Sequence, residues 1–155
     1  TASSAYTAVK DPKQTQFMYR DALWSGADMF GVGVSSFGHL DGIHYQNQPN
    51  IVPYISEVAG GTLPIHRALT MTQQEQMIRQ FILQMKLGKL ANNTFINKFG
   101  VDVFSQYDEL LSSYEREGYL HRSPDELELT RTGLLQIDRL LHGFFLPEHR
   151  QVRYA

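Results

Sequence analysis

The stretch Thr72-Gln-Gln-Glu-Gln-Met-Ile-Arg-Gln-Phe-Ile-Leu-Gln-Met-Lys-Leu-Gly88 decides how the second half of the chain is read. Thr72 and Glu75 have capping-box spacing: the threonine hydroxyl serves the Glu75 amide, and the glutamate reaches back. Met77, Ile78, Phe81, Ile82 and Met85 then recur at the helical period and form one apolar face. Gly88 is placed to terminate this helix. Downstream, Asn92–Phe99 reads as a short helix closed by Gly100. Asp102 caps a longer one, with Val103, Phe104, Tyr107, Leu110, Leu111 and Tyr114 on its buried stripe. Gly118 ends it. Two short runs, 119–122 and 127–129, flank the turn Ser123-Pro-Asp-Glu126 and predict a β-hairpin. Thr130 caps a final helix carrying Leu134, Leu135, Ile137, Leu140, Leu141, Phe144 and Phe145, with Pro147 at or just past its end. Helix, short helix, helix, hairpin, helix is the order of a winged-helix module.

Upstream of Thr72 the character changes. Gly26, Gly31, Gly33, Gly38, Gly42, Gly60 and Gly61 crowd one segment. Asp28–Phe37, DMFGVGVSSF, predicts a buried strand whose glycines permit close approach of another strand or of a ligand. Gly38–Asn50 reads as a loop, and Ile51–Val58 as a short helix stopped by Gly60-Gly61. Thr1–Thr15 is polar and weakly patterned. The fold class expected is α+β.

Composition narrows the chemistry. The chain has 155 residues, 42% hydrophobic and 19% charged, with a formal charge of −2. That is the profile of a globular chain of one ordinary domain, or one domain plus the edge of another. It contains no cysteine. A disulfide, a zinc–thiolate knot, an iron–sulfur cluster on its own thiolates and a cysteine nucleophile are therefore excluded within it. No apolar run approaches the ~20 residues that span a bilayer, and Thr1–Thr15 has no signal-peptide pattern. Residues 91–128, which would hold a recognition helix and wing, carry three basic and eight acidic residues, a net −5. A face of that sign repels a duplex, so no nucleic-acid partner is expected.

Gly31-Val-Gly-Val-Ser-Ser36 is not a dinucleotide fingerprint, because Ser36 stands where the third glycine belongs and no helix follows directly. Asp28–Phe37 followed by Gln46-Asn-Gln48 instead resembles the closing barrel strand of oxygen-independent coproporphyrinogen III oxidases, which are radical SAM enzymes. Phe99-Gly-Val-Asp102, the hairpin, and Leu129-Thr-Arg-Thr-Gly-Leu-Leu135 are similar to the C-terminal domain of the same family. The resemblance spans roughly residues 16–150 in the family's element order.

The resemblance implies an end segment of a radical SAM α/β barrel at 1–65, its final strand and loop. A mainly helical, winged-helix-like domain would follow at 66–155. It implies a [4Fe-4S] cluster and S-adenosylmethionine in the full-length protein, neither fully bound by this chain alone. The partners implied are an upstream barrel of the same polypeptide and a porphyrinogen or heme substrate, with no membrane association and a cytoplasmic location. Gly31, Gly33 and Phe37 fall at cofactor-binding positions, with an aromatic ring at 37 where some relatives carry an aliphatic residue. Gln46 and Asn47 match the motif and stand as substrate-binding candidates, with loop hydrogen bonding as the alternative. No catalytic residue and no metal ligand is carried over. The isolated chain, lacking cluster ligands, is expected to be an inactive piece of a longer enzyme. Heme chaperones and heme-degrading relatives share the plan and remain alternatives, as does a free-standing winged-helix interaction module.

His39 and His44 with Asp41 are a weak metal candidate, because their spacing fits no single helix face. Arg67, Arg139, Arg150 and Arg153 are candidates for carboxylate recognition, since a guanidinium fork matches a carboxylate, but no spacing singles one out. No Ser-His-Asp order supports a triad. The aromatics of the helices read as core. Residues 69–147 hold a complete set of apolar stripes and are expected to fold independently.

Overall fold

The computed structural model describes residues 1–11 and 13–149. In chain order these form β1 (Ala2–Ser4), β2 (Thr7–Ala8), α1 (Met18–Trp24), β3 (Phe37–Leu40), β4 (Ile43–Asn47), α2 (Ile51–Ala59) and β5 (Ile65–Thr70). Then come α3 (Gln73–Leu87), β6 (Lys89–Ala91), α4 (Asn92–Phe99), α5 (Val103–Gln106), α6 (Asp108–Arg116), β7 (Leu120–Arg122), β8 (Glu126–Leu129), α7 (Arg131–Leu135) and α8 (Ile137–Leu141). The chain divides into two compact units. One is Gly26–Gln76; the other joins Thr1–Ser25 to the described residues from Met77 onward.

The larger unit follows the apolar stripes. Phe81, Met85, Phe95, Val103, Leu111, Leu120 and Leu127 are fully buried and meet in one cluster with Phe144. The capping box forms: the Glu75 N–H donates to Thr72 Oγ1 at 3.2 Å, and the Thr72 N–H donates to Glu75 Oε2 at 2.7 Å. The hairpin forms as β7 and β8, and β6 adds a third antiparallel strand, in the order β6-β8-β7. Lys89–Ala91 is too short to announce itself as a strand, but Leu90, opposite Leu127, needs burial.

Two helices that read as continuous are broken. The first breaks at Tyr107, where φ −110° and ψ 22° leave the helical region. The final helix breaks at Gln136, whose N–H is shared between the Thr132 and Gly133 carbonyls, tightening the turn to 3₁₀ geometry.

Asp102 caps α5 as expected. Its Oδ1 accepts from the Phe104 and Ser105 amides at 3.1 and 3.0 Å and from Asn92 Nδ2 at 2.8 Å. The Ser105 backbone N–H above all, then the side chains of Asn92 and Ser105, hold this carboxyl down at about 2, against an ordinary 3.8. A group with a depressed folded pKa contributes stability that is complete above its unfolded value and lost as pH falls through the folded one. The window here runs from near pH 4 down to about 2. Asp102→Asn is therefore expected to be less stable than wild type at pH 7, with the gap closing in that window. Urea unfolding at several pH values checks it; a gap independent of pH would show that the carboxylate charge plays no part.

The smaller unit departs from the sequence expectation. Asp28–Phe37 is not a buried strand. Beyond one isolated bridge from Met29 to His39 it is irregular, with Phe30, Val32 and Phe37 exposed. Positive φ at Gly33 (104°) and Ser35 (60°) prevents a continuous extended run. The strands lie instead at Phe37–Leu40 and Ile43–Asn47, all of the latter and most of the former in what reads as a loop. The missed signal is Asp41-Gly42: φ values of 47° and 74° make the two-residue turn that such a pair favours. β3, β4 and β5 form an antiparallel sheet in that order.

Candidate functional site

The site builds outward from the Gly31–Ser36 turn. Gly31 is required there because a Cβ would collide with the Phe37 carbonyl. The Gly31 N–H donates to the Tyr45 hydroxyl at 2.9 Å, and the Gly33 N–H to the Tyr54 hydroxyl at 3.1 Å. Asn47, 4% exposed, donates from one Nδ2 to both the Gly31 and Gly33 carbonyls at 3.0 and 3.1 Å. The turn is thus fastened by two tyrosines and one asparagine, from β4 and α2. Sequence reasoning missed both tyrosines. Tyr45 sits at the inward phase of a strand inside the stretch that reads as a loop, and Tyr54 lies within α2, where helical spacing marks no hydrogen-bonding role.

The strand register sorts the remaining candidates by face. Phe37 stands opposite Gln46, His39 opposite His44, Gln46 opposite Arg67, and His44 opposite Leu69. These side chains share one face of the sheet. On it the Phe37 and His44 rings stack at 5.6 Å with 7° between their planes. Gln46 Nε2 donates to the Ser35 carbonyl at 3.3 Å, and its Oε1 accepts from Arg67 Nε at 2.8 Å. Gln46 and Asn47, adjacent in sequence, therefore work on opposite faces. His39 and His44 lie 6.3 Å apart by ring centroid. Among the described residues no group of three or more His, Cys, Asp or Glu is placed to hold a metal ion.

The opposite face is apolar and largely uncovered. A cavity of about 220 Å³ opens there between Phe30, Val32, Leu40, Ile43, Tyr45 and Leu63. Val32 is 75% exposed and Leu63 64%. Every residue of β5 is exposed.

Of the other arginines, Arg139 lies in the larger unit, donating to Gln136 Oε1 at 3.3 Å and lying over the Tyr119 ring. Arg150 and Arg153 fall outside the described residues.

A buried helical cluster carrying a three-stranded hairpin sheet in one unit, and a glycine-turn sheet in the other, define the class. Residues 71–135 match the HemN C-terminal domain family. The relatives are oxygen-independent coproporphyrinogen III oxidases. That of Helicobacter pylori is 31% identical over 118 residues, covering 74% of this chain and 26% of the relative. That of Thermostichus vulcanus is 28% identical over 123 residues, covering 76% of this chain and 38% of the relative. Among solved structures, coproporphyrinogen III oxidase (HemN) from Escherichia coli, described as a radical SAM enzyme, shares the fold with a TM-score of 0.62 at 20% identity. The match covers 76% of this chain and 28% of that one. The chain thus spans between a quarter and two fifths of the length of these proteins. Among the described residues no helix is long and apolar enough to cross a membrane.

Proposed function

We propose that this chain is the C-terminal region of an oxygen-independent coproporphyrinogen III oxidase-like radical SAM protein, which decarboxylates porphyrinogen propionates in heme biosynthesis. Residues 1–65 would then be the end of the barrel and 66–155 a winged-helix-like domain of the cytoplasmic enzyme. The observation that carries this is the uncovered apolar face of the β3–β4–β5 sheet. So much exposed Phe, Val, Leu and Ile in one place is the mark of a surface built to be covered. The preceding barrel of the same polypeptide is the cover that the relatives' length supports.

The chain has no cysteine, so it offers no thiolate to an iron–sulfur cluster, whose ligands would come from the upstream part. Its own residues fit S-adenosylmethionine only in a limited way. The Gly31 and Gly33 amides are engaged by Tyr45 and Tyr54, and their carbonyls by Asn47. The turn would therefore meet the cofactor by packing, with the exposed Phe37 ring alongside it. When bound and reduced, the cofactor supplies the radical that abstracts hydrogen from substrate. Asn47, Tyr45 and Tyr54 hold the turn in place for that contact.

The test is anaerobic reconstitution of the complete protein. Cleavage of S-adenosylmethionine coupled to decarboxylation of coproporphyrinogen III is the expected result. Cofactor cleavage with stable heme binding and no turnover would instead identify a heme chaperone, and heme breakdown a heme-degrading relative. Absence of both cofactor cleavage and porphyrin binding would leave the interaction-module reading.

A further inference from the structure

The sequence offers four arginines for carboxylate recognition without ranking them. Among the described residues the geometry favours Arg67 over Arg139, because Arg67 is set on the same sheet face as Gln46, one of the two candidate substrate residues. Its Nε is held by Gln46 Oε1 at 2.8 Å, and Gln46 is itself tied back to the Ser35 carbonyl. The guanidinium is exposed and makes no ion pair among the described residues. With Nε occupied, the two terminal nitrogens are left pointing their donors at a common partner, the arrangement that a carboxylate fits in bidentate fashion. Cross-strand from Gln46 lies Phe37, parallel to His44, giving a flat aromatic wall on the same sheet face.

We propose that Arg67, oriented by Gln46 and sharing a sheet face with the Phe37–His44 stack, is a binding subsite for one carboxylate of a macrocycle that bears several. The subsite rests on the porphyrinogen reading above for the identity of that macrocycle. Phe37 would then border both ligands from the side, leaving cofactor and substrate in direct contact with each other. Arg67 is the anchoring residue and Gln46 a positioning residue acting through it.

The experiment titrates the complete protein with three probes: coproporphyrin III, its uncharged tetramethyl ester, and pyrene tetracarboxylate, a flat acid that is no porphyrin. Arg67→Ala is expected to weaken binding of both acids about tenfold, the scale of one lost charge-assisted contact, and to leave the ester unchanged. Arg67→Lys, a point charge without the fork, should fall between, and Gln46→Leu should weaken the acids a few-fold. Both sites are on the surface of the sheet, so the variants keep the fold. Acid affinities unchanged in Arg67→Ala, or an ester affinity that falls in parallel, would overturn the subsite. Coproporphyrin III binding that ignores Arg67 refutes the subsite and leaves the porphyrin reading standing. Arg67-dependent binding of pyrene tetracarboxylate without binding of coproporphyrin III does the reverse. Binding of neither acid removes both.

Discussion

Alanine at position 81 is expected to lower the unfolding free energy of the larger unit by about 3–5 kcal/mol, the range found for fully buried phenylalanines. Phe81 has no exposed surface, and three rings close on it: Phe144 at 4.9 Å, Tyr107 at 5.3 Å and Phe95 at 5.7 Å. Those rings come from four different segments of the chain, counting α3 itself. Truncation therefore loses the transfer energy of one ring and leaves a hole that no single element can move to fill. Typical domains are stable by about 5–15 kcal/mol, so the variant should sit near the threshold of folding. Equilibrium urea unfolding followed by circular dichroism reads it. Leu135→Ala is the control, since Leu135 is 75% exposed and should change little. A loss below about 1 kcal/mol for Phe81→Ala would mean that this ring is not at the centre of the core.

Gly133→Ala sets two effects against each other. Gly133 lies in α7, where helix propensity alone favours alanine by about 1 kcal/mol. Yet a Cβ there would run into the backbone carbonyl of Tyr119, an obstacle that cannot rotate aside. That carbonyl is also fixed, because it accepts from the Thr130 N–H at 2.9 Å. Thr130 in turn caps α7 by accepting from the Gly133 N–H at 3.1 Å. Steric overlap of this kind costs about 1–3 kcal/mol and occasionally more, and it moves the cap with it, so the net change is destabilising by about 2 kcal/mol. Thermal or urea unfolding decides the sign. A stabilised Gly133→Ala would show that propensity wins and that the α7–Tyr119 approach is looser than described.

The helical half was legible because its signals are local. Thr72 with Glu75, Asp102 and Thr130 each announce a cap within a few residues, and the apolar stripes of 77–85 and 103–114 repeat often enough to fix a face. What stayed hidden depends on partners distant in sequence. Tyr107 and Gln136 interrupt helices that periodicity alone would continue. β6 exists because β8 lies ready to pair with it. The glycine-turn segment was misread because apolar composition around glycine looks like a buried strand, whereas the side chains of Tyr45, Asn47 and Tyr54 pull it into a turn. The Asp41-Gly42 pair was available as a hairpin signal and went unused. Of the candidate site, Phe37, Gln46 and Asn47 are reached only through the family resemblance. The division of Gln46 and Asn47 between two faces is not reached even so, since it follows from strand register.

The larger unit is threaded from both ends of the chain. Ala5 donates its N–H to the Lys86 carbonyl at 2.8 Å, Tyr6 bonds Asp138 and packs on Trp24, and Lys86 lies over the Tyr6 ring. Residues 26–76 thus sit in the sequence as an insertion into a unit that begins before them and finishes after them. A cut within 26–76 would give two fragments of which each holds part of one fold, so that they should re-associate and complement each other. Conversely, a shorter piece trimmed to residues 71–135, or to 69–147, would discard the Thr1–Ser25 segment that packs on it. Producing this domain in isolation therefore means keeping Thr1–Ser25 together with the stretch from Thr72 onward, whose first residues cap α3.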